Sequence, residues 1–188
     1  MVCLGNICRS PLAEGILKYK LQGMGLDWEV DSAGTNGYHI GEAPHPLSRK
    51  VALQHGIDIG SQRARKFTAA DLQHFDKVYA MAEDVIDEMR RIAGPRYKGA
   101  FEASSAGTSP KVDLLLNELH PGSNEEVPDP WYGPESGYHE LYRLISAACD
   151  RIVEKYGPPA EPIEPPASRP GDQLGNPQKP AASSHEHQ

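Results

Sequence analysis

Cys3-Leu4-Gly5-Asn6-Ile7-Cys8-Arg9-Ser10-Pro11 is the stretch on which the fold turns, because it joins a tight polar loop to the start of a helix. Ser is a favoured N-cap and Pro at the first helical position forfeits no needed hydrogen bond, so Ser10 is expected to cap a helix that Pro11 opens. Leu12, Ile16 and Tyr19 then share one face, and Gly23 or Gly25 ends the run. The loop suits a phosphate. Successive backbone N–H groups of a tight turn can converge on one anion, and the N-terminus of the following helix adds partial positive charge. Gly5 permits a positive φ and Asn6 tolerates one. Leu4, Gly5, Asn6, Ile7 and Cys8 are therefore expected to line the anion site, with Arg9 supplying a planar fork for two phosphoryl oxygens. The same surroundings favour the thiolate of Cys3, a nucleophile aimed at phosphorus. The Ser10 hydroxyl can also donate to that sulfur, and Cys8 could trap an oxidised Cys3 as a reversible disulfide. A cysteine and an arginine with five residues between them recur by chance; Gly5, Asn6, Ser10 and Pro11 make the pattern specific.

Thiolate attack on a phosphate monoester expels an alkoxide or phenoxide, so a general acid is needed, and hydrolysis of the resulting cysteinyl-phosphate needs a base. One carboxyl group can serve both steps. Asp129, in Val127-Pro128-Asp129-Pro130-Trp131-Tyr132-Gly133, is the candidate, because the prolines on either side restrain its backbone. Trp131 and Tyr132 would form an apolar wall suited to an aryl leaving group.

Outward from these motifs, residues 1–156 alternate short strands with helices. Trp28 to Ala33 reads as a strand closed by Gly34-Thr35-Asn36-Gly37, and Pro46 to His55 as a helix stopped by Gly56. Thr68 to Asp71 resembles a capping arrangement before a short helix. Asp76 to Met81 and Lys111 to Leu115 suit buried strands, and Glu83 to Ile92 is helical in period. Leu141, Ile145, Ala148 and Ile152 mark a last helix ending near Gly157, and residues 94–110 read as a surface loop. Such alternation implies an α/β fold, a parallel sheet covered on both faces.

The chain has 188 residues, 19 basic against 26 acidic, for a net charge of −7. A nucleic-acid or anionic-membrane surface needs a positive field, so neither partner is expected. Three cysteines are too few for a disulfide scaffold, and no apolar run is long enough to span a bilayer. These features suggest a reducing, cytoplasmic setting. From residue 157 to 188 the composition shifts: eight of 17 prolines fall there and large apolar residues are scarce, so this segment is expected to be a disordered tail. Its closing His185 and His187 have no partner ligands in sequence, and a solvated tail is the simpler reading than a metal site.

Together these segments resemble the low-molecular-weight protein tyrosine phosphatases. The resemblance runs over roughly residues 2–156, through Val2 to Pro11, Asp31-Ser32-Ala33-Gly34, Gly41-Glu42, His55-Gly56-Ile57, Ala64-Arg65 and Asp129-Pro130-Trp131-Tyr132-Gly133. It implies a three-layer α/β/α fold on a four-stranded parallel sheet, no metal or cofactor, a tyrosine-phosphorylated protein as substrate and inorganic phosphate as product. It also implies nucleophile Cys3, phosphate-binding Arg9, loop-shaping Asn6, thiolate-stabilising Ser10 and general acid Asp129. Tyr38 occupies the place of an aromatic residue that walls the cleft, with Trp131 and Tyr132 opposite. Relatives resembling arginine phosphatases carry threonine where this chain has Ile7, which leans towards phosphotyrosine.

The resemblance also implies a buried central strand immediately before the cysteine loop, where only Met1 and Val2 stand. The first strand is therefore expected to be truncated, through a start assigned too far downstream or a genuine loss. Forfeiting four or five large apolar side chains at roughly 1.5–3 kcal/mol each would rival a whole fold's stability, so instability or poor activity is expected. Two rival readings remain: an arsenate reductase on the same scaffold, for which Cys149 is the sole downstream thiol, and an inactive phosphate-binding product.

Overall fold

Val2 and Cys3 form β1, and they stand in the middle of the sheet. β2 (Ala33–Gly34) lies on one side of β1, and β3 (Val78–Ala80) followed by β4 (Val112–Leu114) on the other, giving the order β2-β1-β3-β4 with every pairing parallel. This computed structural model describes residues 1–103 and 109–159. The first strand, expected to be truncated, spans two residues, as β2 does, and is paired on both edges. Its carbonyls serve alternate neighbours. Met1 O accepts from Ala33 N–H, Val2 O from Met81 N–H and Cys3 O from Thr35 N–H, each at 3.0 Å.

Side-chain alternation along the strands sorts the core into two halves. Val2, Val78 and Ala80 face one side, where they pack with Phe67, Leu72 of α3 (Asp71–His74), and Val85 and Met89 of α4 (Glu83–Ala93). Cys3 and Tyr79 face the other, against Leu12, Ile16, Val51, Leu141, Ile145 and Ile152. Those residues come from α1 (Arg9–Gly23), α2 (Pro46–Gln54) and α5 (Glu135–Tyr156). The result is the expected three-layer α/β/α fold. The residues from Met1 to Pro158 pack as one unit.

The strands are shorter than hydrophobic patterning suggested, since Trp28 to Ala33 contracts to Ala33–Gly34 and Asp76 to Met81 to Val78–Ala80. Extended backbone becomes strand only where a neighbour runs alongside, and the brief β1 limits that overlap. Within the loop expected over 94–110, Pro95–Phe101 is a 3-10 helix, while residues 104–108 lie outside the described residues. The tail expected from residue 157 lies outside them from residue 160 onward, His185 and His187 included. Among the described residues, no helix is long and apolar enough to cross a membrane.

Candidate active site

The C-terminal end of a central strand is where open parallel sheets bind ligands, and β1 runs there directly into residues 4–8. The turn is built around Asn6, whose φ of 57° is one of two positive values at non-glycine residues among the described residues. In that conformation the Asn6 N–H points back at Cys3 Sγ, at 3.2 Å. Its side chain is equally committed. Nδ2 donates to Ser10 Oγ at 2.8 Å and Ser32 Oγ at 2.9 Å, and Oδ1 accepts from the Arg65 N–H at 2.9 Å. The N–H groups of Gly5, Ile7 and Cys8 donate to no protein acceptor among the described residues, as a concave anion-binding turn requires.

Ser10 Oγ lies 3.1 Å from Cys3 Sγ. Ser10 Oγ accepts from Asn6, and its single proton has two acceptors in reach, the Ala33 carbonyl at 3.3 Å and the Cys3 sulfur, of which a thiolate could only accept. The expectation that Ser10 caps the helix is corrected. Helix α1 begins at Arg9 with Cys8 at the cap position and no side-chain cap, so Ser10 sits inside the first turn and serves the loop. Starting the helix two residues earlier turns the Ser10 hydroxyl inward and puts Arg9, 6% exposed, against the site.

Arg9 and Asp129 meet although 120 positions separate them. One guanidinium nitrogen of Arg9 donates to Asp129 Oδ2 at 3.0 Å and the other to the Val127 carbonyl at 3.3 Å. Asp129 Oδ1 accepts from the Trp131 N–H at 3.1 Å, a local turn that holds the carboxyl rather than leaving it to rotate. The Arg9–Asp129 pair thus brings the cysteine loop and the aspartate loop together.

The other site candidates separate by depth. Leu4 is 44% exposed at the rim, with its carbonyl accepting from Asn36 N–H at 2.9 Å, and Ile7 is buried in the core beneath the loop. Cys8 is buried too, its sulfur 3.8 Å from the Tyr138 hydroxyl, and burial pushes its thiol up to about 12. Tyr38 and Tyr132 project into solvent, at 85% and 98% exposure. Tyr38 stacks on no ring among the described residues; the rings that meet Trp131 are His39, His45 and, edge-on, Tyr132.

Several supporting residues were given no role from sequence. Ser32 donates to Glu14 Oε2 at 2.6 Å, and Glu14, 4% exposed, also receives Lys18 at 2.6 Å. Glu14 lies four residues after Ser10, on the same helical face, and a carboxylate on the buried stripe of α1 is the signal that would have found it. Arg65, whose amide holds Asn6, is pinned by Asp31 at 2.8 Å and Asp71 at 3.1 Å. A groove of about 760 Å³ opens at the opposite end of the strands, lined by Trp28, Asp31, Phe67, Phe75, Lys77 and Tyr156, away from the cysteine loop.

Fold and loop define an α/β protein with an anion-ready turn on its central strand, closed by an arginine–aspartate pair. The chain belongs to the low molecular weight phosphotyrosine protein phosphatase family, a family of hydrolases, whose sequence pattern matches residues 1–157. It is 34% identical over 154 residues to the low molecular weight protein-tyrosine-phosphatase YfkJ of Bacillus subtilis, covering 81% of this chain and 90% of that protein. The crystal structure of YfkJ superposes with a TM-score of 0.68, covering 81% and 89% of the two chains. The human low molecular weight phosphotyrosine protein phosphatase is 32% identical over 156 residues, covering 82% of this chain and 92% of its own. A Drosophila arginine phosphatase has a TM-score of 0.69 at 29% identity, covering 84% and 96%.

Proposed function

We propose that the chain hydrolyses phosphotyrosine in cytoplasmic proteins through a cysteinyl-phosphate on Cys3. The observation that carries this reading is the convergence on one sulfur of the Asn6 N–H and the Ser10 hydroxyl, beside the Arg9–Asp129 pair. The phosphoryl group binds the loop amides and competes with Asp129 for the Arg9 fork. Attack by the Cys3 thiolate forms the S–P bond as the bond from phosphorus to the tyrosyl oxygen breaks, and protonated Asp129 gives its proton to that oxygen. Asp129, now a carboxylate, takes a proton from water as the water oxygen attacks phosphorus. The S–P bond breaks, the thiolate returns and inorganic phosphate leaves.

Ile7 and the exposed aromatic rim of Tyr38, Trp131 and Tyr132 support an aryl phosphate over phosphoarginine. Cys149 argues against arsenate reduction. It is fully buried on α5, its sulfur 4.0 Å from the Ala13 carbonyl, and burial pushes its thiol up to about 12. A relay thiol must be ionised and within reach. Hydrolysis of a phosphotyrosine peptide by the purified chain, with no turnover by Cys3→Ser, is the expected result, since an alcohol is barely ionised at neutral pH. Undiminished phosphate release by Cys3→Ser would remove Cys3 from the mechanism.

A further inference from the structure

His45 occupies a position that neither the cysteine loop nor the aspartate loop contains, yet it touches both. Its backbone N–H donates to the Ile7 carbonyl at 2.7 Å, and three residues on, Ser48 Oγ donates to the Cys8 carbonyl at 3.2 Å. The imidazole stacks on Tyr138 of α5, centroids 5.3 Å apart and planes within 14°. It meets Trp131 edge-on at 5.4 Å. The backbone N–H of Trp131 in turn donates to Asp129 Oδ1, and Tyr138 lies against the Cys8 sulfur.

We propose that His45 is the positioning residue for Asp129: its ring is the strut that seats Trp131, and through it the carboxyl, at a set distance from the cysteine loop. The inference rests on the phosphatase reading above. The strut is fixed at its own end. As the residue that caps α2, His45 accepts the Leu47 N–H at Nδ1, 3.2 Å, which sets the ring's orientation and places the remaining proton on Nε2. Burial holds the imidazole's pKa below its ordinary value, so the neutral, accepting form persists at neutral pH. His39 also packs on Trp131, at 5.6 Å, and is itself held by Glu42 at 2.9 Å, so two imidazoles contact the indole.

His45→Asn separates ring from cap, because Asn is a favoured N-cap and keeps an acceptor for the Leu47 N–H. The readout is kcat/KM, which reports the step that expels the leaving group, for phenyl phosphate and p-nitrophenyl phosphate, with Asp129→Ala alongside. A general acid supplies about 10²–10⁴-fold and matters most for a basic leaving oxygen, so a misplaced one should lose about tenfold on phenyl phosphate and less than about twofold on the nitrophenyl ester. His45→Phe, which restores the ring without the cap, should bring the ratio of the two substrates back towards that of the unsubstituted chain. Equal loss on both substrates, or an Asn variant matching the unsubstituted chain on both, would overturn the positioning role alone. Absence of turnover by the unsubstituted chain would instead overturn the phosphatase reading.

Discussion

Asn6 concentrates the demands of the loop in one side chain. Its backbone must enter the left-handed region, its amide must bridge Ser10 and Ser32, and its carbonyl oxygen must take the Arg65 N–H. Glycine could satisfy the first requirement alone. Asn6→Gly should therefore cost about 2–3 kcal/mol, because buried polar groups on Ser32 and Arg65 lose their partner. Asn6→Ala should cost about 1–2 kcal/mol more, the penalty of a Cβ in the left-handed region. Urea denaturation of the two variants measures both; equal midpoints would show that the turn relaxes without strain.

At the scale of elements, α1 carries the loop and must lie close against the segment that follows α2. Gly15 makes that approach possible. A Cβ there would stand 2.3 Å from Ile59 Cγ2 and 3.3 Å from Ile57 Cγ2, and Ile59 is only 1% exposed. Alanine is the better helix former by about 1 kcal/mol, yet overpacking of a filled core costs about 1–3 kcal/mol. Gly15→Ala should therefore destabilise the chain by up to about 2 kcal/mol. In an Ile59→Ala background the same change should be neutral or stabilising, a coupling that a double-mutant cycle reads directly. Additive costs would mean that α1 does not depend on this contact for its position.

For the whole molecule, the two core halves and every residue of the candidate site lie between Met1 and Pro158. A chain ending at Pro158 should keep the melting temperature and kcat/KM of the full chain, and a loss of either would give the remaining segment a structural or catalytic part. The net charge of −7 belongs to the surface as a whole, whereas the anion site rests on Arg9, one helix N-terminus and a few loop amides, so overall charge is silent about it. Cys3, Arg9, Asn6 and the alternation of helices with strands were legible in the linear chain, because loop geometry, phosphate chemistry and helix periodicity are local in sequence. The helix start was not legible there. Ser10 and Pro11 carry the local signature of a cap and first turn, but Asn6, Cys3 and the Ala33 carbonyl claim the hydroxyl, and the helix begins at Arg9 instead. Nor could patterning show that Val2 and Cys3 are paired on both edges, since that depends on two neighbours arriving alongside. The Arg9–Asp129 pair, the Glu14–Ser32–Asn6 support and the rings around Trp131 join residues far apart in the chain, and only the packing of α1, α2 and α5 on the sheet brings them within reach.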